Sequence, residues 1–290
     1  MTRAIHTWAA EELTGPGLHA LLEQSFERRW RRYRNVLKRC AKEFSEGSVH
    51  ELRVETRRWL AWLGLLEPFL GEVPVQALAG RAKKLFKSSA RLRDVQVQLP
   101  RLELKFEEFP ELVPLRKYLM RREKRLSRRL DRKIAGAVGD SLRKQVAGMR
   151  KVLRLWTREA PLEGRHATQL LRSVNHAYDR VLAMRRAVRP ELPETIHRVR
   201  VAFKRFRYMV EMLQPILPSI PLERLDAMHA FQQKMGEIQD VEVLLATLEK
   251  YTKKEPAGVL DRFRQDLLSR RAALITAFLQ DSNPLTEFWP

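Results

Sequence analysis

The sequence predicts an all-α fold, and three observations predict it. Apolar residues recur at helical spacing along most of the chain, no stretch alternates apolar and polar residues over a strand's length, and only 12 of 290 residues are glycine. Prolines divide the chain into helices near 18–45, 49–69, 74–99, 112–134, 141–158, 165–189, 194–217, 221–250 and 258–281. The punctuating residues are Pro68, Pro74, Pro100, Pro110, Pro161, Pro190, Pro215, Pro221 and Pro256.

The first helix places Arg28, Arg32 and Arg39 at positions compatible with one face. The second opens on Val49-His50-Glu51-Leu52-Arg53-Val54 and runs through apolar residues into Pro68-Phe69-Leu70. The third carries Lys84, Lys87 and Arg91 at i, i+3 and i+7, then Asp94-Val95. The fourth is so densely basic (Arg121, Arg122, Lys124, Arg125, Arg128, Arg129, Arg132) that no face stands out, and plain surface is its simplest reading. The helix near 141–158 reads as a connector.

The remaining helices retrace the first ones. Ile196-His197-Arg198-Val199-Arg200-Val201 opens a helix that ends at Pro215-Ile216-Leu217, so both the histidine (50 to 197) and the proline (68 to 215) recur after 147 residues. Ala90-Arg91-Leu92-Arg93-Asp94-Val95 is matched by Gly236-Glu237-Ile238-Gln239-Asp240-Val241 at an offset of 146, and Tyr33 is matched less clearly by Tyr178. Two tandem four-helix repeats are expected, one over about 18–135 and one over about 165–281, joined by a connector helix at about 139–160 in a single domain spanning 1–290.

Each copy sets a histidine and two cations on one row: His50, Arg53, Arg57 and His197, Arg200, Lys204, the second extended by Arg207. On the second copy Ile196, Val199, Phe203, Phe206, Val210 and Leu213 flank the row on one side, and Val201, Tyr208 and Met212 on the other. The first copy behaves alike, with Glu51, Glu55 and Arg58 outward; Arg198, Ala202 and Arg205 are outward on the second. A charge row is ordinarily a solvated face, but one bounded by two apolar arcs points toward other helices. Burying like charges without anions costs several kcal/mol each, so a wet groove filled by a polyanion is the economical resolution. Steps of about 5–6 Å along such a row suit successive phosphates of an extended chain.

Composition agrees. Lys and Arg number 56 against 35 Asp and Glu, a net charge of +21 that implies a polyanionic partner: nucleic acid, an acidic membrane surface or a phosphate polymer. The arginine bias favours phosphate, which the planar guanidinium grips in pairs. A single Cys40 excludes an internal disulfide and fits a reducing compartment; no apolar run is long enough to cross a bilayer, and Met1 to Ala10 do not read as a leader, so a cytoplasmic protein is expected.

At these residues the chain resembles the CHAD family, the conserved histidine α-helical domains: the HxxRV helix occurs in both halves, each followed by a helix with a Gly/Ala-x-x-x-Asp-Val segment. The resemblance covers nearly all of the chain. It implies a pseudo-twofold helical bundle whose basic central pore or groove binds inorganic polyphosphate without catalysis, with a place at polyphosphate granules. The pore positions fall on His50, Arg53, Arg57, His197, Arg200, Lys204 and Arg207. Lys84 and Lys87 are added as ligands, and Arg28, Arg32, Arg58, Arg91 and Arg205 as outlying candidates. Departures from symmetry stand beside this, since Leu60 matches Arg207, Gly64 matches Glu211, and Ala230, Gln233 and Glu237 stand where the first half has Lys84, Lys87 and Arg91. No ExExK segment accompanies the domain.

The sequence has no P-loop, nucleophile elbow, HExxH helix or paired Cys/His spacing, so no enzyme, metal or cofactor is expected. Asp94 and Asp240 read as structural, pairing with an arginine or capping a local break. Cys40, between Arg39 and Lys42, is open to a lowered pKa but has no base nearby. The alternative functions are nucleic-acid binding, which would favour aromatic residues beside the cations, and a scaffold recruiting partners to polyphosphate granules.

Overall fold

A computed structural model describes residues 18–135, 140–158, 163–217, 220–253, 255–256, 258–281 and 285–289. The N-terminal residues Met1 to Ala10 and Pro161 lie outside them. The described residues are helical throughout, without a strand: α1 (Leu18–Glu43), α2 (Glu46–Leu70), α3 (Glu72–Glu103), α4 (Val113–Ala135), α5 (Asp140–Thr157), α6 (Glu163–Arg186), α7 (Pro193–Leu213), α8 (Leu222–Thr252), α9 (Asp261–Gln280) and the single turn α10 (Leu285–Phe288).

Two of the expected breakers are absorbed. Pro68 lies inside α2 and Pro100 inside α3, each within the last turn, where the missing N–H costs one hydrogen bond and little chain remains to be deflected. Pro74 falls in the first turn of α3, where no intrahelical partner awaits its N–H. The α1–α2 corner is tight: Phe44 takes a φ of 49°, and Ser45 caps α2 by accepting from the Ser48 N–H at 3.2 Å. Between α2 and α3 the chain turns on Gly71, whose φ of 81° suits glycine.

Two apolar cores result. The larger gathers α1, α2, α5, α6, α7 and the N-terminal halves of α3 and α8 around Phe26, Trp59, Trp62, Phe203 and Phe206, with the rings of Trp59 and Trp62 stacked at 5.8 Å. The C-terminal segment closes it, the Trp289 indole N–H donating to Asn175 Oδ1 at 2.6 Å. The smaller joins the C-terminal halves of α3 and α8 to α4 and α9 through Val95, Leu102, Phe109, Val241, Leu248 and Phe263.

The burial pattern also fixes register. Buried Val49, Leu52, Trp59, Leu63 and Leu66 of α2 correspond to Ile196, Val199, Phe206, Val210 and Leu213 of α7, all 147 residues on. In α1 and α6, Leu22, Phe26, Tyr33 and Val36 are buried, as are Ala167, Leu171, Tyr178 and Val181, an offset of 145. Tyr33 stacks on Trp59 and Tyr178 packs on Phe206, which lies 147 residues after Trp59, so the two tyrosines hold corresponding places. The longer α6–α7 link, 187–192 against 44–45, absorbs the two residues.

Candidate anion-binding site

Because α2 and α7 pack against each other and also against α3 and α8, their two histidine rows meet. The apolar back of each helix is anchored in the larger core, and this aims the front at the opposing pair. Depth follows the row: His50 and His197 are exposed at the N-terminal ends of their helices, Arg57 and Arg200 are half-buried, and Arg53, Lys204 and Arg207 are only 9%, 7% and 6% exposed.

Arg53 is fixed by donating from Nη1 to the Phe86 carbonyl at 2.9 Å and to Ser89 Oγ at 3.1 Å, with its guanidinium 4.0 Å from the Phe86 ring. Arg57 lies over the same ring at 4.8 Å. Arg207 donates to Gln232 Oε1 at 3.0 Å and to Glu211. Arg200 lies across α8, close enough that a Cβ on Gly236 would sit 3.6 Å from Nη2. Its buried Nε has no hydrogen-bond partner among the described residues.

The electrostatics follow from burial and crowding. Lys204 is pushed down to about 5, by burial first and then by Arg57, Arg200, Arg53 and Arg207, so its amine is neutral at pH 7 in the free protein. Burial, followed by Arg57, brings Arg53 down to about 9, against the pull of Asp94. Arg57 and Arg200 are lowered chiefly by burial, with Tyr208 opposing the shift in both. Both histidines are lowered as well, His50 by burial and then Arg93 and Arg57, His197 by burial and then Arg200, with Gln239 opposing. Among the described residues no carboxylate forms an ion pair with Arg53, Arg57, Arg200 or Lys204.

Lys84 and Lys87, expected as ligands, lie at the surface rather than at the depth of Arg53 and Lys204. Lys84, Lys87 and Arg91 are exposed along α3. Arg28 and Arg32 are exposed on α1 with Arg39, where Arg32 pairs with Glu51 and, at 2.9 Å, with Glu55. Glu55 is not outward as expected: it is 1% exposed, wedged between α1 and α2, and held by Arg29, Arg32 and Arg58 at 3.6, 2.9 and 2.8 Å. Arg58 also reaches Glu211 at 3.7 Å. Arg205 packs over Gly64 and lines a separate cavity beside α6. Val201, expected on an apolar flank, is 54% exposed, whereas Tyr208 and Met212 are buried as that flank requires.

Some groups at the site escaped the sequence reading. Arg93 pushes His50 down and donates to Glu46 at 2.9 Å, while Gln239, at the matching position, hydrogen-bonds His197 and pulls it up. Both directly precede the repeated aspartates, so the repeat already held the signal. Asp240 pairs with Arg101 at 2.6 Å, and burial raises the pKa of Asp94 despite Arg53 beside it. Cys40 is fully buried, and burial pushes its thiol up to about 11; the flanking Arg39 and Lys42 point away from it into solvent. The described residues hold no group of three metal-binding side chains and no helix long and apolar enough to cross a membrane.

Comparison with known proteins gives two findings. The family model described as the CHAD domain matches residues 24–249. Among solved structures, the crystal structure of the CHAD domain from the plant Ricinus communis is similar at 18% identity and a TM-score of 0.57, covering 97% of this chain and 90% of that one; the likeness is one of fold. No curated protein matches the chain.

Proposed function

From the premise that the chain belongs to the CHAD domain family, we propose that it binds inorganic polyphosphate in the groove where α2 and α7 face α3 and α8. One observation carries this reading: Arg53, Arg57, Arg200 and Lys204 converge without carboxylate partners, two of them less than a tenth exposed. Such a cluster is unstable unless anions enter it. His50 and His197 form its rim, and Arg207 its deep end. Lys84, Lys87 and Arg91 are a peripheral rail for a long chain leaving the groove.

The bundle is read as two tandem repeats, α1–α4 and α6–α9, about a pseudo-twofold axis, with α5 as connector. Residues at the repeat offset act on one another, which supports it: Arg53 feels Arg200, and Asp94 feels Asp240. In this reading the role is non-catalytic, that of a binding or targeting module at polyphosphate granules in the cytoplasm. Phe203, Phe206 and Trp59 are buried in the apolar core and offer nucleic-acid bases no stacking surface.

The test is a competition titration at matched ionic strength, in which DNA, RNA, heparin and short phosphates compete with labelled long-chain polyphosphate. Polyphosphate should resist displacement best, and Arg200→Glu/Lys204→Glu should lose at least tenfold in affinity while Arg198→Glu keeps it. Equal displacement by every polyanion would reduce the site to generic electrostatics.

A further inference from the structure

A second cavity, of about 640 Å3, lies away from the histidine rows, between the C-terminal part of α2, α6 and α7. One face of α6, at i, i+3, i+4, i+7, i+8 and i+11, turns into it as Arg165, Thr168, Gln169, Arg172, Ser173 and His176. This spacing ordinarily packs apolar side chains against a neighbouring helix. Here every position is polar, and three carry a guanidinium or imidazole. Arg205 of α7 completes the lining, reaching over Gly64, where even a Cβ would stand 3.1 Å from Nη2. Pro68 and Met209 supply an apolar wall, and Glu67 a carboxylate.

The comparable region of the first half shows why these cations matter. There the arginines are neutralised by α2 carboxylates: Arg29 and Arg32 of α1 and Arg58 of α2 share the buried Glu55, and Arg32 and Arg39 share Glu51. At the offset of 147, Glu55 becomes Ala202 and Glu51 becomes Arg198. Arg205, the counterpart of Arg58, has lost its partner one turn back. Among the described residues no carboxylate pairs with Arg165, Arg172 or Arg205.

We propose that the α2–α6–α7 cavity is a second anion site, separate from the histidine rows, that takes a compact phosphate ester carrying hydroxyl groups, such as a sugar or polyol bisphosphate. Arg172 of α6 and Arg205 of α7, which line the cavity together with Arg165, take the phosphates. Glu67, with Gln169 and Ser173, accepts and donates hydrogen bonds to hydroxyls, a use for a carboxylate that would only repel a bare phosphate. The wall of Pro68 and Met209 suits the carbon face of the ring.

Isothermal titration with fructose 1,6-bisphosphate, run on Arg200→Glu/Lys204→Glu to disable the histidine rows, tests the site. Binding should persist there, and adding Arg172→Ala/Arg205→Ala, both exposed positions, should weaken it at least tenfold with an unchanged circular dichroism melt. Glu67→Gln separates the ligand classes: it should weaken the bisphosphate severalfold and tighten pyrophosphate, which has no hydroxyls. No binding in the row-disabled protein, or no loss in the arginine variant, would overturn the site. Tightening of both ligands by Glu67→Gln would overturn the ester as its occupant. Failure of polyphosphate to depend on Arg200 and Lys204 would overturn only the function proposed above.

Discussion

Lys204 concentrates the chemistry of the groove in one amine. Its folded pKa, about 5, lies far below its ordinary 10.5, so between those values the unfolded chain binds a proton that the folded one does not. Stability therefore rises with pH across that window, and the penalty is greatest at its acid end. Lys204→Met should raise the urea midpoint of the free protein, by more at pH 6 than at pH 9, while weakening polyphosphate. The histidines, lowered for the same reasons, are neutral in the free protein at pH 7 and gain protons when an anion arrives. Polyphosphate affinity should rise as pH falls from 8 to 6, checked by titration in a protein still folded; a flat profile would remove both histidines from charge recognition. Cys40 should resist iodoacetamide at pH 8 until urea unfolds the chain, because a thiol near 11 is protonated and enclosed. The cationic row was legible from spacing alone, since i, i+3 and i+7 fix a face whatever packs against it. The fate of Glu55 was not: a helical wheel tells direction, and only the approach of α1 with Arg29 and Arg32 turns that direction inward.

At the scale of elements, a single buried carboxylate joins two helices. Removing the charge of Glu55 leaves three guanidinium groups around an uncharged centre, and Glu55→Gln should cost about 3 kcal/mol in urea denaturation. Arg39→Ala, whose carboxylate partner Glu51 is half-exposed, should cost under about 1 kcal/mol in the same measurement. Helix positions were readable to within a few residues because apolar period and breakers agree over long segments. Pro100 misled because a proline near the end of a helix is tolerated there, as Pro68 also is in α2, and sequence alone does not say whether a proline closes a helix or rides in its last turn. The match of Tyr33 with Tyr178 was faint in the sequence for a different reason. The buried series around them differ in residue type, with Leu22 and Phe26 against Ala167 and Leu171, so burial and ring contacts align the helices where residue identity does not.

For the whole molecule, charge sets the behaviour in solution. A protein of net charge +21 that neutralises several phosphates in one groove releases counterions on binding, so log affinity should fall linearly with log salt. Polyphosphate should bind at least tenfold more weakly at 200 mM than at 50 mM salt, measured by titration; equal affinity at both would refute ionic capture. The all-helical architecture followed from patterning, but the encounter of the two cationic rows required the crossing of α2 and α7, which no local pattern states. The groove also lies where the two apolar cores adjoin: along α3, Leu92 belongs to the larger, Val95 to the smaller, and Asp94 stands between them beside Arg53. A charged seam between separately packed blocks can widen by the breadth of a water molecule without exposing either block. Amide protons along that seam should then exchange with solvent through small local openings, while those of both cores wait for unfolding, and a polyphosphate chain bound as proposed would enter through breathing that the rest of the protein does not feel.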